Sequence, residues 1–141
     1  MAYRQNPLAS VQFASLEWGK ALMERLNLNT AYAHLAATWQ GAVLFHDTET
    51  CRFLWLDIHE GKCRDVAAWA STDDPATRDA PFVFRARTAV WRRVSEGTLH
   101  PTTALATRQL KVTGNMFQVM RYAQATVAMV KSAQEVPTSW K

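Results

Sequence analysis

Apolar residues recur at helical spacing at both ends of the chain and alternate in its middle. In "SVQFASLEWGKALMERLN", Phe13, Leu16, Leu22, Met23 and Leu26 fall near a 3.6-residue period, which predicts a helix. In "NLNTAYAHLAATWQG", Asn29 suits an N-cap. Tyr32, Leu35, Ala36 and Trp39 then follow at i, i+3, i+4 and i+7, and Gly41 offers the stop. Helices are therefore expected over about 10–40. The period changes in "AVLFHD", "CRFLWLDIH", "CRDVAAWAS" and "PFVFRAR", which are short, rich in β-branched and aromatic residues, and divided by turn signals. Those signals are Thr48–Thr50, Glu60-Gly61-Lys62 and Asp73-Asp74-Pro75. Strands are expected over about 42–87, as a meander of four. Phe82, Phe84 and Ala86 share one face, opposite Val83, Arg85 and Arg87, so one sheet face is covered and the other is partly wet. The strand carrying Leu54, Leu56 and Ile58 is apolar on both faces and reads as an interior strand.

Helical spacing returns over about 89–107. "TAVWRRVSEG" has Thr88 as candidate N-cap and ends at Gly97, and "HPTTALATRQ" places Pro101 in a first turn, where its missing N–H is harmless. A fifth strand at 110–113 turns Leu110 and Val112 inward, with Lys111 and Thr113 outward, and Gly114-Asn115 suits a turn needing positive φ. A single amphipathic helix over 116–133 closes the pattern, with Met116, Val119, Met120, Ala123 and Val127 as its apolar stripe. The sum is an α+β domain spanning 1–141: a five-stranded, mainly antiparallel sheet with helices over one face.

Composition narrows the function classes. With 141 residues, 48% hydrophobic and 20% charged, the chain can bury a real core. Its formal charge of +4 is spread among acids; even the group Arg85, Arg87, Arg92 and Arg93 reads as solvated faces rather than a nucleic-acid footprint. "MAYRQNPLASVQF" lacks the apolar run of a leader, and no stretch approaches the ~20 apolar residues of a membrane span. Cys51 and Cys63 fit a reducing compartment, although they flank a hairpin that a cross-strand bridge could join. A cytoplasmic protein is expected. His34, His46, His59 and His100 do not cluster; His59 and Cys63 are four apart but separated by a turn, so no metal is expected. There is no Gly-x-Ser-x-Gly elbow, and the five glycines form no phosphate-cradling loop, so neither a catalytic centre nor a cofactor is expected. Trp140, near the terminus, reads as part of a frayed tail.

One combination is more specific. Trp91, Gly97, Pro101 and Ala104 precede Leu110-Lys111-Val112-Thr113-Gly114-Asn115, which leads into a Met-rich helix from Met116 to Met129. This resembles the sterol carrier protein 2 (SCP2) sterol-transfer domain family, from about Glu17 to Gln134. The resemblance implies an apolar tunnel between sheet and helices that holds a sterol, fatty acid or acyl-CoA-like lipid without transforming it. The expected walls are Leu54, Leu56, Phe82 and Phe84 from the sheet, with Trp91, Leu105, Leu110 and Val112 from the segments that follow. Met116, Phe117, Val119, Met120, Ala123, Val127 and Met129 would complete it from the last helix. Methionine suits such a wall because it is flexible and polarizable. Trp39, Trp55 and Trp69 are placed where they could instead fill the space. At most transient membrane contact is expected. A second reading is an accessory scaffold or dimerisation module for an enzyme of lipid or isoprenoid-quinone metabolism. A third, an enzyme of steroid or acyl metabolism, would need groups such as His46 and Asp57 to converge in the pocket.

Overall fold

The described residues open with a two-residue strand, β1 (Val11–Gln12), where a helix was expected. The computed structural model describes residues 10–71 and 80–140; the leader reading and the Asp73-Asp74-Pro75 turn lie outside them. Strand β1 pairs in parallel with the last strand, β7 (Thr138–Ser139), so the two ends of the domain are tied together. Trp140 stacks on Phe13 at 4.7 Å, and the Trp18 indole N–H donates to Thr138 Oγ1 at 2.9 Å. The expected frayed tail is thus a packed one: aromatic surface at 13 and 140 gains more from mutual burial than from solvation.

Helix α1 (Leu16–Leu28) starts later than its apolar period implies, because Ser15 caps it by accepting from Trp18 N at 3.2 Å. Phe13 therefore precedes the helix. Trp18, Gly19, Leu22 and Leu26 form the buried stripe, and Leu16 is exposed. Helix α2 (Thr30–Leu35) is capped by Asn29, whose side-chain oxygen accepts from Tyr32 N at 2.9 Å. It ends at Leu35, so Trp39 lies outside it. Gly41 is not its stop but a residue of strand β2 (Gln40–Asp47), at φ 124, where a Cβ would meet Pro81 Cγ at 2.8 Å.

Strands β2, β3 (Arg52–His59) and β4 (Lys62–Ala70) form an antiparallel meander. The fourth strand does not continue it. Strand β5 (Phe82–Ala86) pairs in parallel with β2, and β6 (Lys111–Thr113) pairs antiparallel with β5, giving the order β4-β3-β2-β5-β6. The alternation of β5 could not reveal this, since period-2 patterning fixes which face is buried and leaves the neighbour open. Strand β3 is interior, as expected, and β2 is central.

Helices cover one sheet face. On it lie Val43, Leu54, Leu56, Phe82, Phe84 and Ala86, all buried in one core with α1 and the later helices. The opposite face carries a row of rings: Trp69 stacks on Phe53 at 5.5 Å and Phe53 on His46 at 4.1 Å. At the end of β2, buried Asp47 joins the sheet to the next helix, α3 (Thr88–Ser95). Its carboxylate accepts from Glu49 N at 3.0 Å, Thr50 N at 3.3 Å and Thr88 Oγ1 at 2.8 Å. Thr88 is consequently the first helical residue, and Arg87 occupies the cap position.

Helix α4 (Pro101–Ala106) has Pro101 in its first turn as expected, capped by His100 Nδ1, which accepts from Thr102 N at 3.1 Å. The single C-terminal helix is in fact two. Helix α5 (Met116–Arg121) stops at Tyr122, whose backbone leaves the helical region (φ −104, ψ 22), and α6 (Ala123–Gln134) starts at the next residue. No proline or glycine marks the break. Tertiary packing makes it: Tyr122 is buried, stacked on Trp39 at 5.1 Å, with its hydroxyl 2.8 Å from Thr38 Oγ1.

Candidate functional site

A space lies beside the break at Tyr122. Between β6, α4, α5 and α6 lies a cavity of about 730 Å³ that opens to solvent. Its floor is Phe84 on β5 and Val112 on β6; Leu105 and Leu110 form one wall, and Val119, Ala123 and Val127 form the other. Met116 and Met120 stand at the rim, 54% and 74% exposed. Volume and lining fall in the range of small-molecule sites, which are apolar with a few polar groups. Here those groups are the hydroxyls of Thr102, Thr113 and Thr126 and the cations Arg108 and Lys111.

The backbone that builds this wall has two special positions. Gly114 holds φ 142, and a Cβ there would lie 2.5 Å from Pro81 O, so only glycine lets β6 turn into α5 this closely against the start of β5. Asn115 then caps α5, accepting from Gln118 N at 3.3 Å. Arg108, at φ 62, takes the left-handed conformation beyond the C-cap of α4, a place that usually belongs to glycine.

Of the residues expected to form the wall, Phe84, Leu105, Leu110, Val112, Met116, Val119, Met120, Ala123 and Val127 line this cavity. Six expected residues do not. Leu54 and Leu56 lie under α1, where the absence of a side chain at Gly19 lets the helix settle onto Leu54. Phe82 packs edge-on against Trp39 at 5.8 Å. Trp91 lies deeper, donating its indole N–H to His46 O at 3.2 Å. Phe117 points away from the cavity and is 88% exposed. Met129 is buried beyond the cavity, beside two gaps of about 30 Å³ each. The first gap shares Phe84, Pro101, Leu110 and Thr126 with the cavity and is closed inward by Trp39, Phe45 and Trp91. Of the tryptophans suspected of filling the interior, Trp39 does so in part. Trp55 and Trp69 belong to the other sheet face, as their register with Leu44 and Phe53 requires.

The polar lining, Thr102, Arg108, Lys111, Thr113 and Thr126, escaped the apolar periodicity. Only Thr126, one position before Val127 and three after Ala123, had a signal in its spacing. His46 and Asp57 do not converge: they pair with different residues along β2 and β3, and neither lines the cavity. Burial, helped by Arg85, lowers the His46 imidazole below its ordinary value against the pull of Asp47. Burial pushes the Cys63 thiol up to about 12, and both cysteines are free thiols. Among the described residues, no group of three or more His, Cys, Asp or Glu side chains could hold a metal. No helix among them is long and apolar enough to cross a membrane.

A sheet covered on one face by helices, with an apolar cavity left open beneath the last of them, is the architecture of an α+β ligand-binding domain. The family model for the SCP-2 sterol transfer family matches residues 14–126, and the chain belongs to that family. A crystal structure of sterol carrier protein 2 is 30% identical, with a TM-score of 0.81 over 89% of this chain and 99% of that one. The solution structure of protein TT1886 from Thermus thermophilus is also 30% identical, with a TM-score of 0.77 over 93% and 94% of the two chains. A UbiJ-SCP2 ubiquinone synthesis protein shares the fold at 16% identity, with a TM-score of 0.56 over 97% of this chain and 98% of that one. No curated protein matches the chain.

Proposed function

We propose that the chain binds one apolar lipid, a sterol, fatty acid or acyl-CoA-like molecule, in the cavity beneath α5 and α6, and carries it without chemical change. The observation that carries this reading is the cavity itself: about 730 Å³ walled by leucine, valine, methionine and alanine, with its polar groups confined to threonines and two cations. Burying on the order of 500 Å² of apolar ligand gives about 12 kcal/mol. Loss of ligand and side-chain freedom offsets several kcal/mol. The net, about −8 kcal/mol, corresponds to roughly micromolar affinity. Selectivity for one hydrocarbon shape over another is modest, since a methylene is worth only about 1–3 kcal/mol in such a pocket.

A titration with a fluorescent fatty acid and a fluorescent sterol tests the proposal, with mass spectrometry of an organic extract of the purified protein to name a resident lipid. Saturable binding near micromolar is expected. The absence of saturation by tens of micromolar, with the fold intact, refutes it. Native mass spectrometry separates a carrier from the scaffold reading. A monomer with co-purified lipid supports the carrier.

A further inference from the structure

Strand β4 is an edge of the sheet, and only its first half is protected. The Asn27 side chain, reaching from α1, imitates a neighbouring strand: its carboxamide accepts from Cys63 N at 2.8 Å and donates to Cys63 O at 2.9 Å. Arg64 is held by Asp57 at 3.1 Å, and the ladder bulges beside them, between Asp57 and Ile58. The Asp65 carboxylate accepts from Val66 N at 2.9 Å and so occupies the next amide along. Caps, charges and bulges of this kind keep a sheet edge from pairing. They stop at Val66. The remainder of the strand, Val66-Ala67-Ala68-Trp69-Ala70, is uncharged.

The ladder fixes which backbone groups are open. Ser71 N donates to Cys51 O at 2.9 Å, so by alternation Trp69 and Ala67 also bond to β3, while Ala70, Ala68 and Val66 turn their N–H and C=O away from the sheet. Ala70 is exposed and Ala68 half-buried. Nothing among the described residues bonds the outward groups of either.

We propose that residues 66–70 pair antiparallel with the same residues of a second copy of this chain, about a two-fold axis at Ala68, and join two sheets edge to edge. Ala68 then exchanges both backbone bonds with its own copy, and Val66 exchanges both with Ala70 of the other copy. On the ring-bearing face Trp69 comes opposite Ala67, a large side chain against a small one, and the symmetry repeats the match. No charged side chain enters the paired stretch. This self-match favours a second copy over an unrelated extended chain. Asp65 competes for Val66 N–H, and the seam is smaller than a standard interface, so the dimer is weak. The proposal is independent of the carrier reading, because no β4 residue lines the cavity.

Sedimentation equilibrium of the full chain from about 5 µM to about 1 mM measures the association, with a Kd of about 100 µM expected for so small a seam. Amide exchange followed by NMR reads the register. Protection of Ala68 and Ala70 rises about fivefold between those concentrations, whereas Ala67 and Trp69, already in the ladder, change little. Ala68→Pro removes an outward N–H and no ladder bond, which an edge strand tolerates, and weakens association more than tenfold. Asp65→Ala frees Val66 N–H and strengthens association about fivefold. Phe117→Ala, at the exposed apolar side of α5, leaves it unchanged. A protein still monomeric at about 1 mM overturns the proposal. So does a dimer that Phe117→Ala dissociates, or one in which Ala68 and Ala70 gain no protection. Should Ala68→Pro fail to fold, the Asp65→Ala association and the exchange pattern decide. A failed fatty-acid titration with these outcomes intact would sink the carrier reading alone.

Discussion

Leu110 lies 4% exposed on the wall shared by the cavity and the first inner gap. Replacing it with alanine removes Cγ and both Cδ atoms. The transfer contribution of three carbons is roughly 2 kcal/mol. Adding the void left behind brings typical losses to about 2–5 kcal/mol. One side of Leu110 already faces open space, so fewer contacts vanish and the expected loss is at the low end, about 2–3 kcal/mol. For a chain of this size that lowers Tm by about 8–12 °C. The same change joins the 30 Å³ gap to the cavity and admits a longer chain. Each further buried methylene strengthens binding about fourfold, so the best saturated fatty acid should lengthen by about two or three carbons and bind Leu110→Ala at least as tightly as the best one binds the native protein. Differential scanning calorimetry and competition titrations across a fatty-acid series measure both effects. A Tm that falls as stated while the optimum length stays fixed would show that the gap is not a continuation of the binding space. A Tm that does not move would show that Leu110 is not packed as described.

Three further outcomes are expected. Gly114→Ala forces a Cβ to within 2.5 Å of Pro81 O at φ 142; urea unfolding should show a loss of about 1–3 kcal/mol, with weaker fatty-acid binding as β6 and α5 shift. Asp47→Ala leaves the amides of Glu49 and Thr50 and the Thr88 hydroxyl without their acceptor and should lower stability by about 3–5 kcal/mol, against about 1.5–3 kcal/mol for Thr88→Val, which removes one donor. His46 has a folded-state pKa below its ordinary 6.5, so the unfolded chain takes the proton first as pH falls. Its contribution to stability is therefore complete above pH 6.5, declines as pH drops below it, and levels off once the folded imidazole is charged. Urea midpoints across that window should show the decline in the native protein and a smaller one in His46→Gln.

The family resemblance implied nine residues that line the cavity. Periodicity and turn chemistry were enough to locate the five strands of the larger sheet, the Pro101 start of α4 and the Gly114-Asn115 turn. These rest on local rules: alternation sets the buried face, and glycine or proline sets the backbone. What local rules leave open is which elements become neighbours. Nothing in the alternation of β5 distinguishes pairing with β4 from pairing with β2, and that choice puts Phe84 beside β6 and α6 while Leu54 and Leu56 stay beneath α1. The break at Tyr122 has no breaker in the sequence. It follows from the stack on Trp39 and the Thr38 contact, formed by residues more than eighty positions away. Phe117, expected in the wall from the resemblance, lies off the stripe of Met116, Val119 and Met120 within α5 itself and is exposed. The break separates the apolar rim of α5 from the buried stripe of α6. The sequence by itself determined that a greasy sheet face and greasy helices would meet. Only tertiary packing, by breaking the last helix at one buried ring, decided where they fail to close.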